Sequence, residues 1–230
     1  MTKKARLANP LALAVLALLF ERPMHPYEMA STLKERHKEA SIKLRYGSLY
    51  TVIELMLARG LIAAKGTSRE GKRPERTVYT LTPSGLDELR DWMRELLRDP
   101  TKEYPQFEGA LALLPVLPPD EAVSLLRQRA LLLNGTVWQI EAQLHELAQQ
   151  DLSALTGGQQ LPPPLAGKKF PPLFTVENEY RLAVTKAELA FVNELVRRIT
   201  EEGWGPVDIW RDIQAACARQ HETGPLENDD

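Results

Sequence analysis

Arg69, Lys72, Arg73 and Arg76 fall within eight positions in the stretch REGKRPERTVYT, in a 230-residue chain whose formal net charge is −2. A cluster of guanidinium and ammonium groups has two ordinary uses. It can be a solvated loop, or it can lie against closely spaced phosphates and displace their condensed counterions. The charges are unevenly divided: residues 1–100 carry 18 Lys and Arg against 12 Asp and Glu, and residues 101–230 carry 11 against 19. A first part at +6 joined to a second at −8 suits a basic nucleic-acid module attached to an acidic partner module.

Other chemistries find little support. The sequence has no Gly-rich phosphate loop, no dinucleotide fingerprint and no serine elbow, so no enzyme and no cofactor are expected. His25, His37, His145 and His221 show no ligand spacing beyond Cys217-x-x-x-His221, so no metal site is expected either. Cys217 is the sole cysteine, which rules out an intramolecular disulfide, and within AACAR it reads as a small buried hydrophobe. The apolar run from Leu11 to Phe20 follows a basic start, as in a signal peptide, but it is short of the roughly 20 residues that span a bilayer and is followed by ERPMHPYEM rather than small residues. It reads as a buried first helix, and the expected location is the cytoplasm, away from membranes.

A basic cluster can grip phosphates only if elements behind it hold it in place. Pro10 suits the first turn of a helix through Phe20, and Pro26 the first position of a second helix in which Met29, Ala30 and Leu33 face the first. In IKLRYGSLYTVIELMLARGLI, Leu49, Val52, Ile53, Met56 and Leu57 share one helical face. The opposite face holds Gly47, Ser48, Thr51, Glu54 and Ala58, with Tyr50 at its margin and Arg45 just before the first turn; Gly60 supplies the stop. A helix with small outer residues and a basic start meets the steric needs of a major groove.

LIAAKGTS and ERTVYTLT then read as two strands around a tip marked by Gly71 and Pro74, which places the four cations at the end of a hairpin beside that helix. Thr82 is expected to cap a further helix with Pro83 in its first turn and a buried stripe of Leu86, Leu89, Trp92, Met93 and Leu96.

This order of helix, helix, YGSLYTVIELMLARGLI, basic hairpin and VYTLTPSGLDEL resembles the PadR family of bacterial winged helix-turn-helix transcription regulators over about residues 9–98. HPYEMASTL, GSLYTVIELMLARGLI and YTLTPSG carry the resemblance. It implies a DNA-binding repressor, usually a homodimer assembled through C-terminal helices, with effectors that vary. It matches Ser48, Tyr50 and Thr51 to the recognition helix and Arg69, Lys72, Arg73 and Arg76 to the wing; Arg45 and Tyr46 complete the expected DNA-contacting set. Two departures stand out: Pro26-Tyr27 replaces a Gly-Tyr, and Thr51 follows Leu49-Tyr50 where the family has proline. The second alters the groove-facing surface and hence base preference.

In the second half, Asp120 is expected to cap a long helix in which Val123, Leu126, Ala130, Leu133, Val137, Ile140, Leu144 and Leu147 recur by threes and fours. Such a seam serves either an intrachain helical hairpin or a subunit contact, and its persistence points to dimerisation. A Gly- and Pro-rich break near residues 153–174 precedes another helix, with Tyr180, Val184, Ala187, Phe191, Leu195 and Ile199 on one side, and a short helix and acidic tail follow. Trp92, Trp138, Trp204, Trp210, Tyr180 and Phe191 are candidates to line an effector pocket.

The expected architecture is therefore mainly α with a small β-hairpin: a winged helix-turn-helix domain over 1–100, a connection over 101–118, a helical dimerisation and effector domain over 119–220, and a tail over 221–230. The expected function is a dimeric regulator that occupies a palindromic promoter site on double-stranded DNA and is relieved by a small-molecule or stress signal. The alternative is a helical adaptor whose winged domain docks a protein. A third reading, a secreted helical binding protein, depends on removal of residues 1–20.

Overall fold

The computed structural model describes residues 9–36, 38, 46–68, 76–151, 172–201 and 207–222. The chain divides into two compact units, Met1–Glu103 and Tyr104–Asp230. The described part is mostly helical, with a two-stranded antiparallel hairpin.

The first unit is built around α1, Pro10–Glu21, which is apolar nearly all round. A helix of that kind is stable only when surrounded. Leu11, Val15, Leu16, Leu18 and Leu19 are each at most 3% exposed. α2, Pro26–Glu35, and α3, Tyr46–Ala58, cover it together with α4, Pro83–Arg98. From α2 come Met29, Ala30 and Leu33, and from α3 Leu49, Val52, Ile53 and Met56, the positions their helical spacing predicts. Each such buried aliphatic side chain contributes about 1.5–3 kcal/mol relative to an exposed one.

Gly60, at φ 70°, ends α3 in the left-handed conformation that glycine adopts without strain. Strands β1, Ile62–Ser68, and β2, Arg76–Leu81, pair in register from Ile62 opposite Leu81 to Ser68 opposite Arg76. The register shifts between Ala64 and Gly66, where Lys65 is the extra residue of a bulge. Met24 adds a bridge on the far side of β2: its N–H donates to the Tyr79 carbonyl at 3.1 Å and Tyr79 returns the bond at 3.0 Å. The α1–α2 connection is thereby tied to the base of the hairpin.

Thr82 caps α4 as expected, accepting from the Gly85 N–H at 3.0 Å. The buried stripe is shorter than its periodicity suggests: Leu89 and Trp92 are buried, but Met93 is 39% and Leu96 50% exposed. Among the described residues of this unit, none joins Met93 or Leu96 to the buried core.

The second unit opens with α5, Gln106–Ala112, and a single 3-10 turn, Leu114–Val116, inside the stretch read as a connection. Phe107 and Leu111 pack against the buried cluster of α6, Pro119–Gln149, and α7, Val176–Thr200. α6 begins at Pro119 without a side-chain cap, so Asp120 lies within the first turn, where its charge favours the positive end of the helix dipole.

α6 and α7 run in opposite directions. Val123 and Leu126, early in α6, cluster with Val192, Leu195 and Ile199, late in α7, while Arg129 pairs with Glu188 and Glu141 with Lys186. The α6 seam expected from sequence is thus met, at least in part, by α7 of the same chain. Leu126, Val137 and Ile140 are 3–6% exposed within a single chain, Ala130 and Leu133 pack against the same cluster, and Leu144 and Leu147 are half-buried. A heptad row needs a partner helix, and here α7 of the same chain provides one. Of the α7 residues placed on one side, Leu195 and Ile199 are buried along with Val192, whereas Tyr180, Val184 and Phe191 are 69%, 49% and 50% exposed.

α8, Val207–Glu222, is anchored by the Trp210 indole N–H, which donates to the Leu117 carbonyl at 2.8 Å, and by Gln214, which donates to the Pro115 carbonyl. Cys217 lies exposed on this helix, contrary to its reading as a buried hydrophobe, and Ala215 and Ala216 beside it are exposed as well.

Candidate nucleic-acid interface

Burial of one face of α3 leaves the other bare. With Leu49, Val52, Ile53 and Met56 at 0–4% exposure, Gly47, Ser48, Tyr50, Thr51 and Glu54 project outward, and Tyr50 is 50% exposed. No lysine or arginine occurs from Tyr46 to Ala58. The Thr51 hydroxyl donates to the Gly47 carbonyl at 3.0 Å, which holds that side chain close to the helix. The surface is thin enough for close approach, the property a groove-reading helix requires.

Several contacts fix α2 against the end of α1. His25 caps α2 through Nδ1, which accepts from the Tyr27 N–H at 3.0 Å, and the Glu28 carboxylate reaches back to the His25 N–H. Glu28 also pairs with Arg22. Arg36, at the other end of α2, grips Glu21 at the end of α1 with bonds of 2.6 and 2.8 Å. That hydrogen bond raises the Arg36 pKa against the opposing effect of burial, so the guanidinium stays charged.

The described part of the hairpin stands beside α3, joined to it by Gly60 and Leu61. Arg76 opens β2 opposite Ser68. Of the residues assigned to DNA by sequence, Ser48, Tyr50 and Thr51 share the exposed side of α3. For Tyr46 and Arg76 only the backbone falls among the described residues, and Arg45, Arg69, Lys72 and Arg73 lie outside them. Two residues that the sequence reading left aside are exposed on the same elements: Lys65 at the bulge of β1, and Tyr27, 59% exposed in the first turn of α2. The Lys-Gly pair inside a strand pattern was the available signal for the former, since an isolated glycine there marks a bulge.

Residues 15–91 match the transcriptional regulator PadR-like family. The match spans the first unit's helices and hairpin from α1 into α4. No curated protein matches this PadR-like chain. Among solved structures it is similar to Bacillus subtilis PadR in complex with operator DNA, with 20% identity and a TM-score of 0.62 over 83% of this chain and 99% of that one. Bacillus subtilis PadR crystallised as such gives 18% and 0.61 over 86% and 99%. The same protein in complex with p-coumaric acid gives 19% and 0.59 over 83% and 96%. At these identities the likeness establishes the fold, and it extends through the C-terminal helices that lie beyond the family match. The chain thus has the winged helix fold of those structures, and residues 15–91 are similar in sequence to the PadR-like family. Among the described residues no helix is long and apolar enough to cross a membrane.

The second unit holds a cleft of 530 Å³ lined by Phe107, Leu111, Arg129, Glu188 and Phe191 among others. The Arg129 guanidinium lies 3.7 Å from the Phe107 ring centroid and donates from Nε to Glu188 at 2.7 Å. Apolar walls around one ion pair suit a small amphipathic molecule. Of the aromatics named from sequence, Phe191 lines this cleft, while Trp92 belongs to the core of the first unit and Trp138 is 67% exposed.

Proposed function

We propose that this PadR-like regulator is a homodimeric repressor, acting in the cytoplasm, which occupies a two-fold-symmetric promoter site. α3 enters the major groove with Tyr46, Ser48, Tyr50 and Thr51 toward the bases, and Arg45, Arg69, Lys72, Arg73 and Arg76 neutralise flanking phosphates. The observation that carries this reading is the division of α3 into a face at most 4% exposed at four positions and a bare face of small residues. The similarity to Bacillus subtilis PadR, solved in complex with operator DNA, supports it.

A two-fold dimer must hold its two α3 helices about 34–36 Å apart to meet successive turns of one duplex face. With the α6 seam engaged inside the chain, we assign self-association to the exposed apolar residues of the second unit: Leu131 and Trp138, seven apart on α6 and 74% and 67% exposed, with Tyr180 and Val184 on α7. We further propose that a small molecule or stress signal relieves repression by favouring a dimer with a different half-site spacing, a coupling between two sites through one bistable assembly. Bacillus subtilis PadR, solved with p-coumaric acid, supports a small-molecule effector, and the Phe107–Arg129 cleft is the proposed seat.

Fluorescence anisotropy against the upstream promoter and a scrambled duplex, across a salt series, tests the reading. The expected result is salt-sensitive binding that prefers the promoter, with Arg73→Ala weakening affinity for every sequence and reducing the salt slope by about one. Absence of binding at low salt would instead support a winged domain that docks a protein.

A further inference from the structure

We propose that Glu54 is a specificity-determining residue that accepts a hydrogen bond from a cytosine amino group in each half-site. The inference rests on the DNA-binding reading above and adds to it the base that the second turn of α3 selects.

Gly47, Thr51, Glu54 and Ala58 follow one another at intervals of four, three and four, so they form a single stripe along the bare side of α3. Glu54 lies eight residues from the helix start, about 12 Å along the axis, a length covering three to four base pairs at about 3.4 Å each. It is exposed, and among the described residues no cation or donor pairs with it. It is the only ionisable carboxylate between Tyr46 and Ala58, on a helix with no compensating lysine or arginine.

Placing such a group in a groove walled by phosphates is unfavourable on charge alone, and docking would also strip its water. A base donor aimed at the carboxylate offsets both costs. In the major groove only cytosine N4 and adenine N6 carry amino donors; guanine presents acceptors, and thymine an acceptor and a methyl. Adenine sets its N7 acceptor beside N6, against the second carboxylate oxygen, so cytosine is the better match. Thr51 reinforces the choice. Its one hydroxyl proton is engaged by the Gly47 carbonyl, which leaves lone pairs and a methyl facing outward. The stripe therefore offers acceptors and no donor, and it discriminates against base edges made only of acceptors.

The test is selection of binding sites from a randomised duplex pool by the full-length protein, its Glu54→Ala variant and its Glu54→Gln variant. Anisotropy on the wild-type consensus and on a duplex altered at the assigned base pair follows. The expected wild-type result is one cytosine position per half-site with about tenfold discrimination. Glu54→Ala should flatten that position alone and raise affinity for unrelated duplex at low salt. Glu54→Gln, of the same shape, should move the preference to adenine, because an amide can both donate to N7 and accept from N6. A wild-type consensus that both variants reproduce with undiminished discrimination overturns the assignment of Glu54 while leaving DNA binding intact. Failure of the wild-type protein to bind any duplex overturns both. Circular dichroism confirms that the exposed substitutions leave the fold unchanged.

Discussion

The backbone of Gly85 in α4 lies against the carbonyl of Leu61 so closely that a Cβ at position 85 would stand 2.0 Å from the Leu61 oxygen. The same junction is pinned by the Thr82 hydroxyl, 2.7 Å from the Gly60 oxygen and 2.9 Å from that of Leu61. These contacts join the end of α3, the start of β1 and the start of α4, so the angle between α3 and the hairpin depends on them. Gly85→Ala meets backbone rather than a movable side chain, and we expect it to destabilise the first unit by about 2–3 kcal/mol, read as a lowered urea midpoint. An unchanged midpoint would contradict the close approach.

His25 is an unusual cap. Its Nδ1 accepts the Tyr27 N–H, a bond that only an unprotonated Nδ1 can accept. His25→Ala should cost about 1 kcal/mol in chemical denaturation, and His25→Asn, whose side-chain oxygen can take the same bond, should recover most of it. Equal loss in both variants would show that the ring acts by packing instead.

The reassigned seam makes two substitutions diverge. Leu126, 5% exposed, should lose about 3 kcal/mol of stability as alanine because a cavity opens between α6 and α7. Trp138, 67% exposed, should leave the chain folded when changed to glutamate while shifting it from dimer to monomer in sedimentation velocity. A monomerising Leu126→Ala with unchanged chemical stability would restore the seam to the subunit contact.

Glu194 on α7 takes hydrogen bonds from Arg197 and Arg198, which lower its pKa to about 2. The folded value lies below the unfolded one of about 4.3, so the stabilisation is complete above the unfolded value and fades as pH falls through the folded one. The difference in melting temperature between wild type and Glu194→Gln should be constant above about pH 5 and disappear toward pH 2. Added salt should shrink it, since the group is at the surface. A difference that grows on acidification would contradict the pairing.

Much of the first unit was legible because each signal was local. Pro10, Pro26 and Pro83 in first helical turns, Gly60 after α3 and the three-four spacing from Leu49 to Met56 act over a few residues, and the structure follows them. The cap at His25 escaped notice because histidine rarely plays that part. The Met24–Tyr79 bridge escaped because its partners are 55 residues apart with no periodic pattern joining them.

By itself, then, the sequence determined the helices and hairpin of the first unit, the buried faces of α1, α2 and α3 and the bare side of α3, since these depend on periodicity and turn chemistry within one segment. Tertiary structure alone decided what each apolar stripe faces. A heptad row records that a helix has a partner and not which chain supplies it, and only the fold sets Val123 and Leu126 against Val192, Leu195 and Ile199 of α7. The same holds in reverse for Met93, Leu96, Tyr180 and Phe191, whose apolar spacing the described residues of their own chain leave exposed. Burial is a property of two surfaces, and a sequence states only one of them at a time.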